Sequence, residues 1–275
     1  MRALLASPLG FLIGISLGAL GGGGSILAVP ALVYAAGQTP KHATTTSLML
    51  VAVTAMIGII PHWRAGRIRL APGVIFGLAG IGGSLLGSHW NKAADPNVLL
   101  ILFSGLMLVA AYGMWRRVHT TKQVAVSKSL SAPAAPVAPA APVAPSSVRV
   151  DPMTVVKVIL AGTLVGLLTG FFGVGGGFVI VPALVLALGF SMPEAIGTSL
   201  LVIAINAVVA LTTRLQAGSI EWGTVIPFTM ASMIGVVVGS RLASTRDSSS
   251  LQRWFVGLLV IVAVYTAVRS GLALT

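Results

Sequence analysis

The chain of 275 residues has no cysteine and only five acidic residues. Without cysteine there is no disulfide, no thiolate metal site and no cysteine nucleophile. The acids are Asp95, Asp151, Glu194, Glu221 and Asp247. Each falls at or near the end of an apolar segment, beside Pro, Ser or Trp. None stands in mid-segment, where a carboxylate marks a cation pathway or a proton relay. A cation pump and an aspartyl intramembrane protease are therefore disfavoured. Charge of either sign is scarce: 8% of the residues are Asp, Glu, Lys or Arg, against about a quarter in soluble domains. A water-soluble globular fold is nearly excluded. No metal-ligand spacing and no Ser/His/Asp constellation is visible, so neither a metal nor a cofactor is expected, and there is no positive case for an enzyme.

What the chain has is apolar length and glycine: 56% of residues are hydrophobic and 33 are Gly. Long apolar stretches recur throughout, which reads as an all-α, polytopic bundle of transmembrane helices with the lipid bilayer as its solvent. The net charge of +12, from 17 Lys and Arg against 5 Asp and Glu, fits positive-inside loops rather than a nucleic-acid partner. The run over 1–20, led by Arg2, has the look of a signal peptide. The same pattern returns inside the chain, before the second Gly run, so it belongs to the fold.

An internal repeat dominates the sequence. A shift of 152 residues aligns the chain with itself without a gap, with 35 identities over the 108 positions from Gly10 to Arg117. Gly10, Gly14 and Gly18 land on Gly162, Gly166 and Gly170. Gly21, Gly23 and Gly24 land on Gly173, Gly175 and Gly176. Val29-Pro30-Ala31-Leu32 lands on Val181-Pro182-Ala183-Leu184, and Thr46-Ser47-Leu48 on Thr198-Ser199-Leu200. Duplicated halves are typical of secondary transporters. The domains read as a first repeat over 1–118, an Ala/Pro-rich linker over 119–152 and a second repeat over 153–275. In the linker, Pro at every third residue favours an extended polyproline II spacer. The basic residues flanking it place it in the cytoplasm.

Each half holds four apolar segments, 3–36, 43–60, 70–90 and 97–115 in the first and 154–188, 195–213, 223–243 and 251–272 in the second. The first segment of each is too long for one span and carries a Gly cluster. If it crosses, the repeats are parallel and the termini share the linker's side. If it is a re-entrant hairpin, the repeats are inverted and the termini lie opposite the linker. Both arrangements split the 17 basic residues 12 against 5, so positive-inside counting does not choose. A continuous helix from Leu9 to Ala36 would be about 42 Å long, which favours the broken or re-entrant form.

The Gly clusters Gly21-Gly22-Gly23-Gly24-Ser25 and Gly173-Val174-Gly175-Gly176-Gly177 are the sharpest candidate sites. Gly costs about 1 kcal/mol relative to Ala in a helix interior, so these runs break helices. A broken helix at membrane depth exposes N–H groups at the start of a half-helix, a ready anion site. The alternative is close helix packing of the small-xxx-small kind, and the two readings weigh evenly. Pro30 and Pro182, symmetric after the clusters, shape a cavity or end a short helix. Thr46, Ser47, Thr198 and Ser199 offer hydroxyl donors to an anion, or else cap or bond locally. Asn206, mid-segment opposite Thr54 in the repeat, contacts the ligand or bonds between helices. Arg241, the counterpart of His89, attracts substrate or lies at the interface. Arg64, Arg67 and Arg69 with Trp63 look like an ordinary cytoplasmic loop with an interface anchor.

The residues carry a family resemblance. Gly-Phe-Phe-Gly-Val-Gly-Gly-Gly-Phe (170–178), Val-Pro-Ala-Leu (181–184), Gly-Thr-Ser-Leu (197–200) and Ala-Gly-Ser-Ile-Glu-Trp (217–222) resemble the sulfite exporter TauE/SafE family of membrane transporters. The resemblance covers nearly the whole chain outside the linker and is stronger in the second half. In the first, Gly22 and Ser25 replace Val and Gly, and Lys41-His42 replaces an acidic position. The resemblance implies transport of sulfite, sulfonates or related organosulfur acids. From the residues alone, the expectation is a secondary transporter of a small anion in a prokaryotic inner membrane. Two repeats would rock about substrate held by Gly22, Gly23, Gly24, Ser25, Thr46, Ser47, Gly175, Gly176, Gly177, Thr198, Ser199, Asn206 and Arg241. The alternatives are an anion channel or a carrier of a non-sulfur carboxylate. The coupling ion, proton or sodium, is left open; proton coupling would draw on His42 or His89, or on the substrate's own proton.

Overall fold

The computed structural model of the chain describes residues 2–34, 37–38, 40–91, 96–131, 152–172, 177–214 and 222–272. Asp95, Asp151, Glu221, Gly175, Gly176 and the Ala/Pro run lie outside the described residues. Every regular element among those described is helical. In the first half they are α1 (Arg2–Leu20), a 3-10 turn (Gly21–Gly24), α2 (Ser25–Tyr34), α3 (Pro40–Arg64), α4 (Leu70–Asn91) and α5 (Pro96–Ser131). In the second they are α6 (Pro152–Phe172), α7 (Gly177–Leu186), α8 (Met192–Arg214), α9 (Trp222–Thr245) and α10 (Ser248–Leu272). The 152-residue shift carries α2 onto α7 end for end. α5 stays helical to Ser131, past the start of the region read as linker.

Among the described residues, six helical stretches are long and apolar enough to cross a bilayer: Thr45–Arg64, Leu70–Trp90, Pro152–Phe172, Met192–Leu211, Val225–Thr245 and Ser248–Val268. Large apolar side chains point outward along them. Leu78, Leu85 and Leu86 on α4, Leu160 and Leu164 on α6, and Ile261, Val264 and Val268 on α10 are all exposed. The interior packs large apolar side chains, Phe76, Phe178, Phe228 and Phe255 among them, with buried hydroxyls at Thr54, Thr198, Ser199 and Ser232. Apolar side chains on both the inside and the outside are what lipid allows, since apolar surface costs nothing there and backbone polar groups must be satisfied internally.

The tightest pairs join helices from different halves. α1 lies along α9, and α6 along α4. Gly10, Gly14 and Gly18 press against Phe228, Ser232 and Val236 in rising order, so α1 and α9 run parallel. Gly162, Gly166 and Gly170 meet Phe76, Gly80 and Ser84 in the same way. A Cβ on Gly10 would lie 2.8 Å from the Phe228 carbonyl oxygen, and on Gly162 2.7 Å from that of Phe76. The Ser232 hydroxyl donates to the Gly10 carbonyl across the first pair, 2.7 Å. The glycine stripes thus serve close backbone approach, the small-xxx-small packing of membrane helices.

These contacts fix helix direction. Gly58 of α3 meets Leu200 of α8, and Gly197 of α8 meets His62 and Arg67, so α3 and α8 are antiparallel. Gly73, Gly77 and Gly80 of α4 meet Leu201, Ile205 and Asn206 in order, so α4 runs with α8. α6 follows α4, and α1 follows α9 and α3. α1 and α6, counterparts under the repeat, therefore run in opposite directions. One face carries the 65–69 turn, the start of α6, the 187–191 turn and the start of α10. It is called the linker face here, because α5 and α6 flank the linker. The starts of α1 and α3 lie at the opposite, terminal face.

Since α1 and α3 both start at the terminal face, the chain returns there between Leu20 and Pro40. It does so at the 3-10 turn. A Cβ on Gly24 would sit 2.5 Å from Leu17 N and 2.8 Å from Ile13 O, although about 10 Å separates residues 17 and 24 in a continuous helix. Gly21 makes the reversal with φ +68°, a conformation other residues adopt rarely. α6 likewise starts at the linker face, where α7 ends and α8 begins. The first segment of the first half is thus broken at its Gly cluster, and that of the second half, whose residues 173–176 lie outside the described ones, starts and ends at the same face.

Candidate functional site

The 3-10 turn meets the start of α7. A Cβ on Gly22 would overlap the Gly177 carbonyl, so the chain crosses itself there backbone on backbone. A Cβ on Gly177 would lie 2.5 Å from Ser25 Oγ, 3.1 Å from Gly22 O and 3.2 Å from Ile203 Cδ1. Ile203 is the central residue of α8, which sets the crossing at mid-height in the bundle. Gly21 abuts Ser199 Oγ and Ile196. Gly22, Ser25, Gly177 and Ser199 are thereby brought together, with Gly23 and Gly24 in the same 3-10 turn. Phe178 follows at the start of α7, fully buried and edge-on to Phe103 of α5 at 4.9 Å.

The hydroxyls at the crossing are engaged with the chain. Ser25 Oγ donates to Gly22 O at 2.7 Å, and Ser199 Oγ to Ile196 O at 2.8 Å. Thr54, the repeat counterpart of Asn206, donates to Leu50 O at 2.6 Å, a local bond to the preceding turn. Thr198 Oγ1 accepts the Arg69 N–H at 3.1 Å, which leaves its own O–H to donate. Thr46 and Ser47 are buried in the first part of α3. Asn206 lies beyond Ile203 on the α4 side of α8, and its Oδ1 is buried without a hydrogen-bond partner. Helix-to-helix bonding therefore does not account for that oxygen. Arg241 is exposed near the linker-face end of α9, away from the mid-height crossing. Among the described residues no group of three or more His, Cys, Asp or Glu is placed to hold a metal ion.

Two features escaped the sequence reading. Arg69 is not an ordinary loop cation: its Nε and Nη2 donate to Glu194 Oε1 at 3.0 and 2.6 Å. The turn that carries it is thereby tied over the start of α8. The signal in the sequence was a reversal of sign, since Arg69 and Glu194 shift onto Glu221 and His42. The second is His62, 1% exposed near the end of α3, with neither ring nitrogen in a hydrogen bond of regular geometry. Its counterpart in the repeat is a cation, Arg214, a hint that a neighbouring Trp63 at an apparent interface concealed.

Comparison with known proteins agrees with this architecture. Residues 6–266 match the family model described as sulfite exporter TauE/SafE. A probable membrane transporter protein of Xylella fastidiosa strain Temecula1 is 34% identical over 268 residues, 96% of this chain and 95% of its own length. The probable membrane transporter protein YdhB of Bacillus subtilis is 27% identical over 238 residues, 85% of this chain and 87% of its own. No solved structure matches. The chain belongs to the TauE/SafE family and is a multi-pass prokaryotic membrane transporter.

Proposed function

We propose that this TauE/SafE member is a secondary transporter of small anions of the sulfite, sulfonate and related organosulfur class. In this reading the anion binds where the 3-10 turn crosses the start of α7. The observation that carries it is the backbone crossing of Gly22 and Gly177 at mid-height. Irregular backbone at membrane depth is tolerated where it is enclosed by protein or lines a wet cavity, and half-helix starts favour negative charge. Ser25 and Ser199 stand beside the crossing. Each hydroxyl is one rotation away from its present carbonyl, so it is free to donate to an oxyanion when one arrives. Thr46, Ser47, Gly23, Gly24, Gly175, Gly176 and Asn206 complete the proposed lining, and Arg241 attracts the anion at the linker face.

α3, α4, α8, α9 and α10, five of the six stretches long and apolar enough to span, then cross the bilayer together with α5, and α1–α2 and α6–α7 are re-entrant, α6 despite its length. By sequence, 12 of the 17 Lys and Arg fall on the linker face in that arrangement, which makes it cytoplasmic. Alternating access operates between mixed bodies, because α1 moves with α9 and α4 with α6.

Counterflow in proteoliposomes tests the proposal. Vesicles loaded with unlabelled sulfite should take up labelled sulfite against its gradient, and Ser25→Ala/Ser199→Ala should slow that exchange. Anion current without counterflow would mean a channel. Counterflow unaltered in the double variant would remove the crossing as the site.

A further inference from the structure

The mechanism above leaves His62 without a task. It is buried to 1% exposure, and although the Gly18 backbone lies against the ring, neither Nδ1 nor Nε2 makes a hydrogen bond of regular geometry. A neutral imidazole has one N–H and one lone pair, and leaving such groups unpaired in a low-dielectric site is costly. Buried polar groups are ordinarily satisfied, and those that are not often mark function.

Its position points the same way. Gly197 of α8 packs on His62, a Cβ there lying 3.2 Å from that of the histidine. Gly197 is six residues from Ile203, about 9 Å along α8, on the linker-face side of the crossing. The Gly18 backbone, just before the hairpin tip, and the Arg67 guanidinium are the groups that act on the ring. His62 thus stands between the crossing and the linker face, against the hairpin that forms the crossing.

The one charge that acts on the ring is the Arg67 guanidinium; the other charged groups of the elements packed on α3 stand farther out. The adjoining turn brings Arg64 and Arg67, with Arg69 neutralised by Glu194. α9 brings Arg241. α8 brings only Glu194 at this end, with Arg214 at its far end. α1 and α2 bring nothing nearer than Arg2 and Tyr34, both toward the terminal face. A second cation buried beside Arg67 is unfavourable while the path is empty. It becomes favourable when an anion enters, because the anion offsets both the imidazolium and Arg67. By linkage, the proton strengthens anion binding by the same factor that the anion strengthens proton binding.

We propose that His62 is the coupling site of the transporter, taking up one proton together with each anion. The proton moves from the solution that supplies the anion to an imidazole nitrogen, forming the imidazolium. It returns to the solution into which the anion is released. One positive charge then accompanies the anion, and a monoanion crosses without net charge. The inference rests on the anion-transport reading above.

The test uses the full-length protein in proteoliposomes with two labelled probes, sulfite and methanesulfonate. The sulfonate stays ionised and brings no proton of its own. Counterflow at equal pH reports anion exchange, and accumulation under an imposed proton gradient reports coupling. For one proton per anion, each pH unit of inward gradient should raise wild-type accumulation about tenfold above protein-free vesicles. His62→Gln should weaken anion binding and slow counterflow at subsaturating anion, and the exchange that remains at saturating anion should no longer follow the gradient; His62→Arg, a fixed cation, should likewise lose the response. Wild-type accumulation indifferent to pH would overturn the proposal without any variant. So would His62→Gln that exchanges and still follows the gradient. Absence of counterflow for both probes in the wild type would overturn the transport reading, and this proposal with it.

Discussion

At the scale of single residues, glycines of the same helix have opposite meanings. On α4, Gly83 lies against the backbone of Thr163 and Leu167, whereas a Cβ on Gly82 meets nothing within 4 Å. Gly83→Ala should therefore destabilise the protein by about 1–3 kcal/mol through overpacking. Gly82→Ala should be neutral or stabilising by up to about 1 kcal/mol, the helix-propensity gain. Thermal melts of the two variants in detergent measure the contrast. Equal effects would mean that α4 and α6 are not in backbone contact. The sequence showed both glycines and their i, i+4 spacing, but a stripe does not say which face a partner covers. The same limit hid His62: a histidine at a segment end next to Trp63 and Arg64 reads as interfacial until the packing of Gly18 and Gly197 around it is seen.

Among elements, the first hairpin follows from composition and the pairings do not. A Gly cluster within an overlong apolar segment is a visible break, and Gly21 with φ +68° is where the chain reverses. That α1 would seat on α9, and α6 on α4, was not legible, because ridges of Gly and Ser accept any partner of the same kind. The tie between the 65–69 turn and α8 was hidden for a related reason: a long-range ion pair leaves no local pattern. Its two side chains are only about a quarter exposed and share one carboxylate oxygen through two donors. Arg69→Glu and Glu194→Arg should each lower thermal stability, and the double reversal should recover part of it. A coupling of about 0.5–3 kcal/mol is expected for residues in direct contact. Strict additivity would show that the pair holds nothing together.

For the whole molecule, the interleaving of the halves has consequences that the duplication alone did not imply. The glycine face of α1 is completed by the second half, and that of α6 by the first. Residues 1–118 and 153–275 expressed as separate chains should each be unstable and should recover on co-expression, as judged by monodisperse elution in detergent. Independent stability of either half would contradict the packing described. Charge counting leaves the two topologies equal, and the directions of α1 and α6 favour the inverted one. Reporters fused to the N- and C-terminus should both read periplasmic, with one in the Ala/Pro linker cytoplasmic. A terminus on the linker's side would reject the inverted arrangement. The anion itself is the central claim, and the thermal stability of the purified protein against a panel of anions tests it most directly. Saturating sulfite or a sulfonate should stabilise the wild type, by about 2.7 kcal/mol at a hundredfold excess over Kd, and Ser25→Ala/Ser199→Ala should need more ligand for the same shift. Stabilisation by carboxylates alone would keep the anion and discard sulfur. No shift with sulfite, sulfate, thiosulfate, sulfonates, carboxylates or chloride would contradict an anion site at the crossing.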